Sequence, residues 1–243
     1  MRITVIGCEI LFREISWAAA RSNNIIDVRF LRKGLHDVGE KEMSTALQKE
    51  IDSIDGSKSD VIVLGYGLCN NGIRGLCSKN TKLVVPRAHD CITLLMGSKN
   101  RYKEYFDSKP GTYFLSTGWI ERDIPSEQQG IKTQLGLCKS FEEYKEKYGE
   151  ENAKYIMEMT NSWQDSYKRL AYINMGIEDL PDYQEKAKKE ALEKKWEFEK
   201  IDGDISLLKK LIDGQWPENE FLMLEPGEKI AASNDEGIVK KIK

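Results

Sequence analysis

Histidine and cysteine are sparse in this chain, and basic charge is not in excess. The 243 residues contain two histidines and five cysteines, with 37 Lys and Arg against 40 Asp and Glu, a formal net charge of -3. A domain without a basic patch or stripe has no electrostatic footprint for nucleic acid, so no such partner is expected. Long apolar runs are also missing. The apolar stretch Val61-Ile62-Val63-Leu64 is far short of the roughly 20 residues that cross a bilayer, and no membrane association is expected. Met1-Arg2 runs directly into Ile3-Thr4-Val5-Ile6, with no apolar core and small-residue cleavage site, so no secretory signal is read and the expected location is cytoplasmic. The cysteines, at 8, 69, 77, 91 and 138, form no C-x-x-C pair. That argues against a disulfide scaffold or a ribbon-type zinc site, and leaves free thiols or ligands gathered from separate loops.

What is present is a regular alternation of strand-like and helix-like segments. Strands are expected at 2–7, 25–31, 60–65, 82–86, 112–116, 169–175, 196–201 and 220–224, each rich in β-branched and aromatic residues. Helices are expected at 9–21, 41–54, 91–106, 141–159, 182–195 and 205–212. Met43, Leu47, Ile51 and Ile54 fall at spacings that make one helix face. Strands separated by helices indicate an α/β fold with a parallel sheet. The β-α-β-α-β order of 2–65 recurs in 169–226, which points to two Rossmann-like lobes, 1–118 and 119–243, with a crevice between them. Eight β/α units in this length also suit a TIM-like barrel, ranked second because the long segment 119–140 interrupts the repeat.

Chemistry-bearing residues collect where strands end, the edge of an open α/β sheet that borders its ligand crevice. Cys8 follows the first strand and opens a helix, a position that favours thiolate. Gly65-Tyr66-Gly67-Leu68-Cys69-Asn70-Asn71-Gly72-Ile73-Arg74-Gly75 crowds four glycines into the turn after a buried strand. It matches neither a Walker A loop nor an intact G-x-G-x-x-G, and reads as a ligand-facing loop in which Tyr66, Gly67 and Asn70 contact substrate. Pro86-Arg87-Ala88-His89-Asp90-Cys91 puts a guanidinium, an imidazole, a carboxylate and a thiol into one turn. Arg87 is expected to clamp an anionic group, Asp90 to cap the next helix or move protons, and His89 to act as ligand or acid/base group. Trp119 offers an aromatic wall to the same crevice. Cys77 and Cys138 follow no strand directly, and His36 reads as a surface residue.

The segments Gly7-Cys8-Glu9-Ile10-Leu11-Phe12-Arg13-Glu14, 65–72, 86–98 and Pro110 to Trp119 together resemble an uncharacterised prokaryotic family classed as a domain of unknown function. The resemblance extends over nearly the whole chain. It implies an anaerobic setting, sometimes beside corrinoid-dependent methyl-transfer systems, and it matches Cys8, Cys69 and Cys91 to the family's motif cysteines.

Three thiolates with an optional imidazole suit tetrahedral zinc, and equally an iron-sulfur cluster with one iron open to substrate or His89. The expected metal ligands are therefore Cys8, Cys69, His89 and Cys91, with the cluster preferred because the ligands come from several strand ends around a roomy glycine loop. The leading expectation is a metal-centre protein, an enzyme or an enzyme's helper, acting in methyl, sulfur or electron transfer within one-carbon metabolism on a small-molecule substrate or a corrinoid methyl-transfer protein. The competing expectations are a non-catalytic two-lobed protein that closes on a small anion through Arg87, and a homo-oligomeric scaffold built on the charged helix 182–195.

Overall fold

A computed structural model of the protein describes residues 1–36, 39–122, 145–146, 149–154, 166–177 and 181–243. The fold is mixed α/β around a mostly parallel central sheet. That sheet has five strands, β1 (Arg2–Cys8), β2 (Ile25–Leu31), β3 (Val61–Gly65), β4 (Lys82–Pro86) and β8 (Phe221–Leu224), in the order β2-β1-β3-β4-β8. The first four run parallel and β8 is antiparallel to β4. Every residue of β3 is buried, as expected for a central strand covered on both faces. From β1 the chain steps outward to β2, then crosses back to β3 on the other side. The crossovers therefore diverge between β1 and β3, and the carboxyl ends of these strands open a crevice. Gly7 pairs with Gly65 in the β1–β3 register, so Cys8 and Tyr66 emerge side by side at its floor.

Helices α1 (Phe12–Ala19) and α2 (Glu40–Asp52) follow β1 and β2. Met43, Leu47 and Ile51 of α2 are buried, the face that the spacing of apolar residues predicts. The helix expected over 9–21 starts as a 3-10 turn, Glu9–Leu11, before α1 begins. The stretch 91–106 is divided into α3 (Cys91–Leu95) and α4 (Lys99–Ser108), because Gly97 turns the chain at φ +71°.

A second, three-stranded parallel sheet contains β5 (Thr112–Ser116), β6 (Arg169–Asn174) and β7 (Glu197–Asp202), in chain order. One apolar cluster joins the two sheets, running from Ile3, Val5 and Val63 through Leu94 and Leu208 to Ala171, Ile173 and Ile201. Sheet membership crosses residue 118 in both directions: β5 belongs to the smaller sheet and β8 returns to the larger. The recurring β-α-β-α-β order thus does not repeat one topology, and the described strands lie in separate sheets rather than in one closed ring. Among the described residues, elements that no local pattern marks include a 3-10 turn at Lys33–His36, α5 (Thr117–Glu121) and a hairpin of β9 (Lys229–Ala232) with β10 (Val239–Ile242). Helix α6 (Pro181–Glu193) buries Ala187 and Ala191 against the small sheet, while its outer face pairs Lys188 with Glu185 and Lys189 with Glu193 within the helix. Helix α7 (Ser206–Asp213) buries Leu207, Leu208, Leu211 and Ile212. Among the described residues no helix is long and apolar enough to cross a membrane. Cys138 and most of the expected helix 141–159 lie outside the described residues.

Candidate functional site

The crevice between the sheets contains a cavity of about 980 Å³ lined by Cys8, Cys69 and Cys91 together, with Tyr66, Gly67, Asn70, His89, Asp90 and Trp119 also on its wall. The three thiols leave the carboxyl ends of β1, β3 and β4, and the way the two later turns pack explains how they meet. The Leu68 N–H donates to the Ala88 carbonyl at 2.8 Å and the Cys69 N–H to that of His89 at 2.9 Å. These two bonds zip the glycine loop to the turn after β4. Gly67 makes the approach possible, since a Cβ there would sit 2.6 Å from the Asp90 nitrogen and 2.7 Å from its Cα.

Beyond the zip the backbone is strained. Cys69, Asn70 and Asn71 have φ of 44°, 54° and 67°, three successive L-residues in the left-handed region, where each costs roughly 1–2 kcal/mol and Asn is best tolerated. Such strain gathers at functional sites, where the surrounding structure holds it in place. Here it turns Cys69 and the two asparagines toward the cavity.

Asp90 is the N-cap of α3, accepting from the Thr93 N–H at 3.1 Å, and its other oxygen accepts from the Tyr102 hydroxyl at 3.0 Å. It therefore holds Cys91 at the start of a helix and anchors Tyr102 in the cavity wall. His89 is exposed at the rim. Arg87 departs from expectation: its Nε donates to the Glu218 carbonyl at 2.7 Å, and an Nη donates to those of Gly237 at 2.9 Å and Val239 at 2.5 Å. It is absent from the wall of the thiol-lined cavity and lines another one near β8. Immediately after β4 its side chain leaves on the side of β8 and the C-terminal hairpin, where carbonyl groups take up its donors.

The electrostatics are those of thiols gathered in a poorly solvated place. Burial pushes the Cys69 thiol up to about 12, with Cys8 and Asp90 adding to the effect. Burial likewise raises Cys91 well above the ordinary thiol range, with contributions from Asp90, Cys69 and Cys8, while a hydrogen bond from the Trp119 indole pulls the other way. The three sulfurs are thus close enough for each of Cys8 and Cys69 to be felt at Cys91. They are not closed around one point: among the described residues no three Cys, His, Asp or Glu side chains form a group that could hold a metal ion. Four-coordinate zinc at 2.3 Å would require sulfurs about 3.8 Å apart, whereas a cluster spreads its thiolates over several iron atoms.

This chain belongs to the DUF1638 family. The family, described as a protein of unknown function, matches residues 30–212. No curated protein and no solved structure matches the chain. The matched span contains Cys69 and Cys91, while Cys8 lies before it.

Several wall residues were not singled out from the sequence of this DUF1638 protein. Arg32 and Lys33 line the cavity directly after β2, so the strand-end rule that found the cysteines also applies to them. Lys33 is 6 % exposed, and its ammonium lies 5.6 Å from the centre of the Trp119 ring. Tyr102, Tyr113, Phe114 and Tyr167 add aromatic rings to the cavity wall, with Tyr102 edge-on to Phe114 at 5.9 Å. No local pattern marks them. Trp119 reaches Cys91 because Gly118 lets α5 come against the 3-10 turn after β1, where a Cβ would lie 1.7 Å from the Ile10 carbonyl oxygen.

Proposed function

We propose that this chain is a metal-centre protein in which Cys8, Cys69 and Cys91 hold an iron-sulfur cluster in the inter-sheet crevice, with His89 or a substrate at the remaining position. The observation that carries the reading is the convergence of three thiols from three strand ends on one cavity, each near enough to affect another's ionisation. In this reading, thiolates drawn from separate strand ends around a roomy wall favour a cluster over a single zinc ion, the competing metal.

Bound there, a cluster would supply an iron able to polarise a substrate atom or pass an electron. The chain's own residues would do the rest. The Trp119 indole favours the charged form of Cys91. Asp90 keeps Cys91 at a helix start and orients Tyr102. His89, at the rim, is placed to exchange protons with solvent, and Lys33 brings positive charge to the cavity. A cavity of about 980 Å³ leaves room for a second molecule beside the centre. We attach to this reading methyl, sulfur or electron transfer, with a small molecule or a corrinoid methyl-transfer protein as the reaction partner. The competing picture of a non-catalytic anion-binding protein loses its clamp, because Arg87 is engaged with backbone carbonyls elsewhere.

Protein prepared without oxygen and supplied with iron and sulfide is expected to retain both, with visible charge-transfer absorbance, and alanine at Cys8, Cys69 or Cys91 to deplete them while the far-ultraviolet circular dichroism is unchanged. Retention of zinc alone would replace the cluster with zinc. Folded protein that retains neither would overturn the reading.

A further inference from the structure

The larger sheet ends at β2, and that edge carries none of the usual guards. Edge strands are normally made unfit for further pairing by shortness, lysine, proline or a bulge. β2, Ile25-Ile26-Asp27-Val28-Arg29-Phe30-Leu31, is seven residues long, contains neither Lys nor Pro, and pairs with β1 in an unbroken register from Ile25 to Leu31. Among the described residues no strand covers its outer side. The Ile25 N–H donates to the Met1 carbonyl at 3.0 Å. Bonding direction alternates along a strand, so Ile25, Asp27, Arg29 and Leu31 bond toward β1, while Ile26, Val28 and Phe30 turn their N–H and C=O groups outward.

The side chains of this edge complement their own reversal. Turned about Val28, the strand sets Ile26 against Phe30, Asp27 against Arg29 and Ile25 against Leu31. In an antiparallel pair of two copies, the outward-bonding residues become the hydrogen-bonded pairs: Val28 with the partner's Val28, and Ile26 with the partner's Phe30. Asp27 and the partner's Arg29 then fall at a non-hydrogen-bonded pair, where side chains lie closest. Sliding by two residues keeps the bonding but sets Asp27 against the partner's Asp27, or Arg29 against the partner's Arg29, and like charges directly opposite are destabilising. The full-overlap register is therefore also the charge-matched one. Exposure agrees with this pairing. Asp27 and Arg29 are exposed, and Ile26, Val28 and Phe30 pack on the core yet are only partly buried. Ile25 is 58 % exposed, and Phe12, 41 % exposed, lies against Phe30 with ring centres 5.1 Å apart. Glu50 and Ser53 accept from one Nη of Arg29 at 3.3 and 2.6 Å, which steadies the guanidinium while its side chain stays 42 % exposed.

We propose that β2 is the interface with a second copy of this chain, the two edges pairing antiparallel about a two-fold axis at Val28 and joining two five-stranded sheets into one. Such a contact is isologous, so the Asp27–Arg29 pair occurs twice.

Sedimentation velocity of the full chain over a concentration series tests this. The wild type is expected to dimerise. Asp27→Arg and Arg29→Asp each set like charges against one another twice, and should each raise the dimer dissociation constant about 10-fold or more. One variant then presents two arginines and the other two aspartates, so an equal mixture should recover a heterodimer of wild-type affinity, a recovery that a folding defect cannot produce. A wild type that stays monomeric at about 100 µM, a dimer indifferent to both charge reversals, or variants that remain apart on mixing would each overturn the proposal.

Discussion

The geometry of the site turns on a single missing side chain, at Gly67. Alanine there would place its Cβ 2.6 Å from the Asp90 nitrogen, 2.7 Å from the Asp90 Cα and 2.9 Å from the His89 carbonyl carbon. All three are backbone atoms in a turn locked by the Asp90 cap of α3, so no side chain can swing aside. The two turns must part by most of an ångström, and the bonds from Leu68 to Ala88 and from Cys69 to His89 lie immediately beside the wedge. Losing two backbone hydrogen bonds costs about 2 kcal/mol, and overpacking a tight site adds roughly 1–3 kcal/mol. The sum, about 3–5 kcal/mol, is a large share of the 5–15 kcal/mol typical of a folded protein. For a chain of this size it lowers the melting temperature by about 6–20 °C. If the proposed metal centre is present, the same wedge, by moving Cys69 away from Cys91, should lower metal retention further than stability. Thermal unfolding followed by circular dichroism, with iron and zinc analysis of the same samples at a temperature where the variant is folded, measures both. A Gly67→Ala protein with wild-type melting and wild-type metal content would refute the packing of the two turns on which the site rests.

Arg87→Ala should destabilise the protein by about 2–4 kcal/mol, since a charged donor group serves three backbone carbonyls, and should leave metal content unchanged; urea unfolding with elemental analysis checks both. A pH effect is expected from Glu121, whose carboxyl is held below the ordinary glutamate value first by its hydrogen bond with Arg13. A carboxyl lowered on folding stabilises the native state above about pH 4.5 and loses that contribution as the pH falls through its native value. In Glu121→Gln this part of the acid dependence, about 1 kcal/mol for so partly exposed a pair, should vanish from the stability difference curve. In metal-free protein Cys69 and Cys91, held protonated by burial, should react with iodoacetamide far more slowly at neutral pH than a free thiol. Peptide mapping after timed alkylation would show this, and rapid labelling of both would contradict it.

Much of the architecture was legible in local pattern. The strands at 25–31, 82–86 and 112–116 lie where the β-branched and aromatic runs put them, and the apolar spacing of 41–54 marks the buried face of α2. The strand-end rule gathered the three cysteines as candidates, since an open parallel sheet brings its strand ends to one edge wherever those strands stand in the order. The same rule extended to Arg32 and Lys33 would have added them. Arg87 misled because a turn of dense functional groups carries no information about which way each side chain leaves the backbone.

What the amino-acid pattern determined by itself was therefore periodic and local: which segments are strands, which are helices, and which turns carry thiols, because alternation and helical spacing are properties of neighbouring residues. The tertiary structure alone decided that β8 returns antiparallel to β4, that Arg87 serves the C-terminal hairpin and that aromatic rings from α4, β5 and Tyr167 line the same cavity as the thiols. Each of these depends on pairing between segments dozens of residues apart, and that pairing is set by competition for burial across the whole chain, which no local window records.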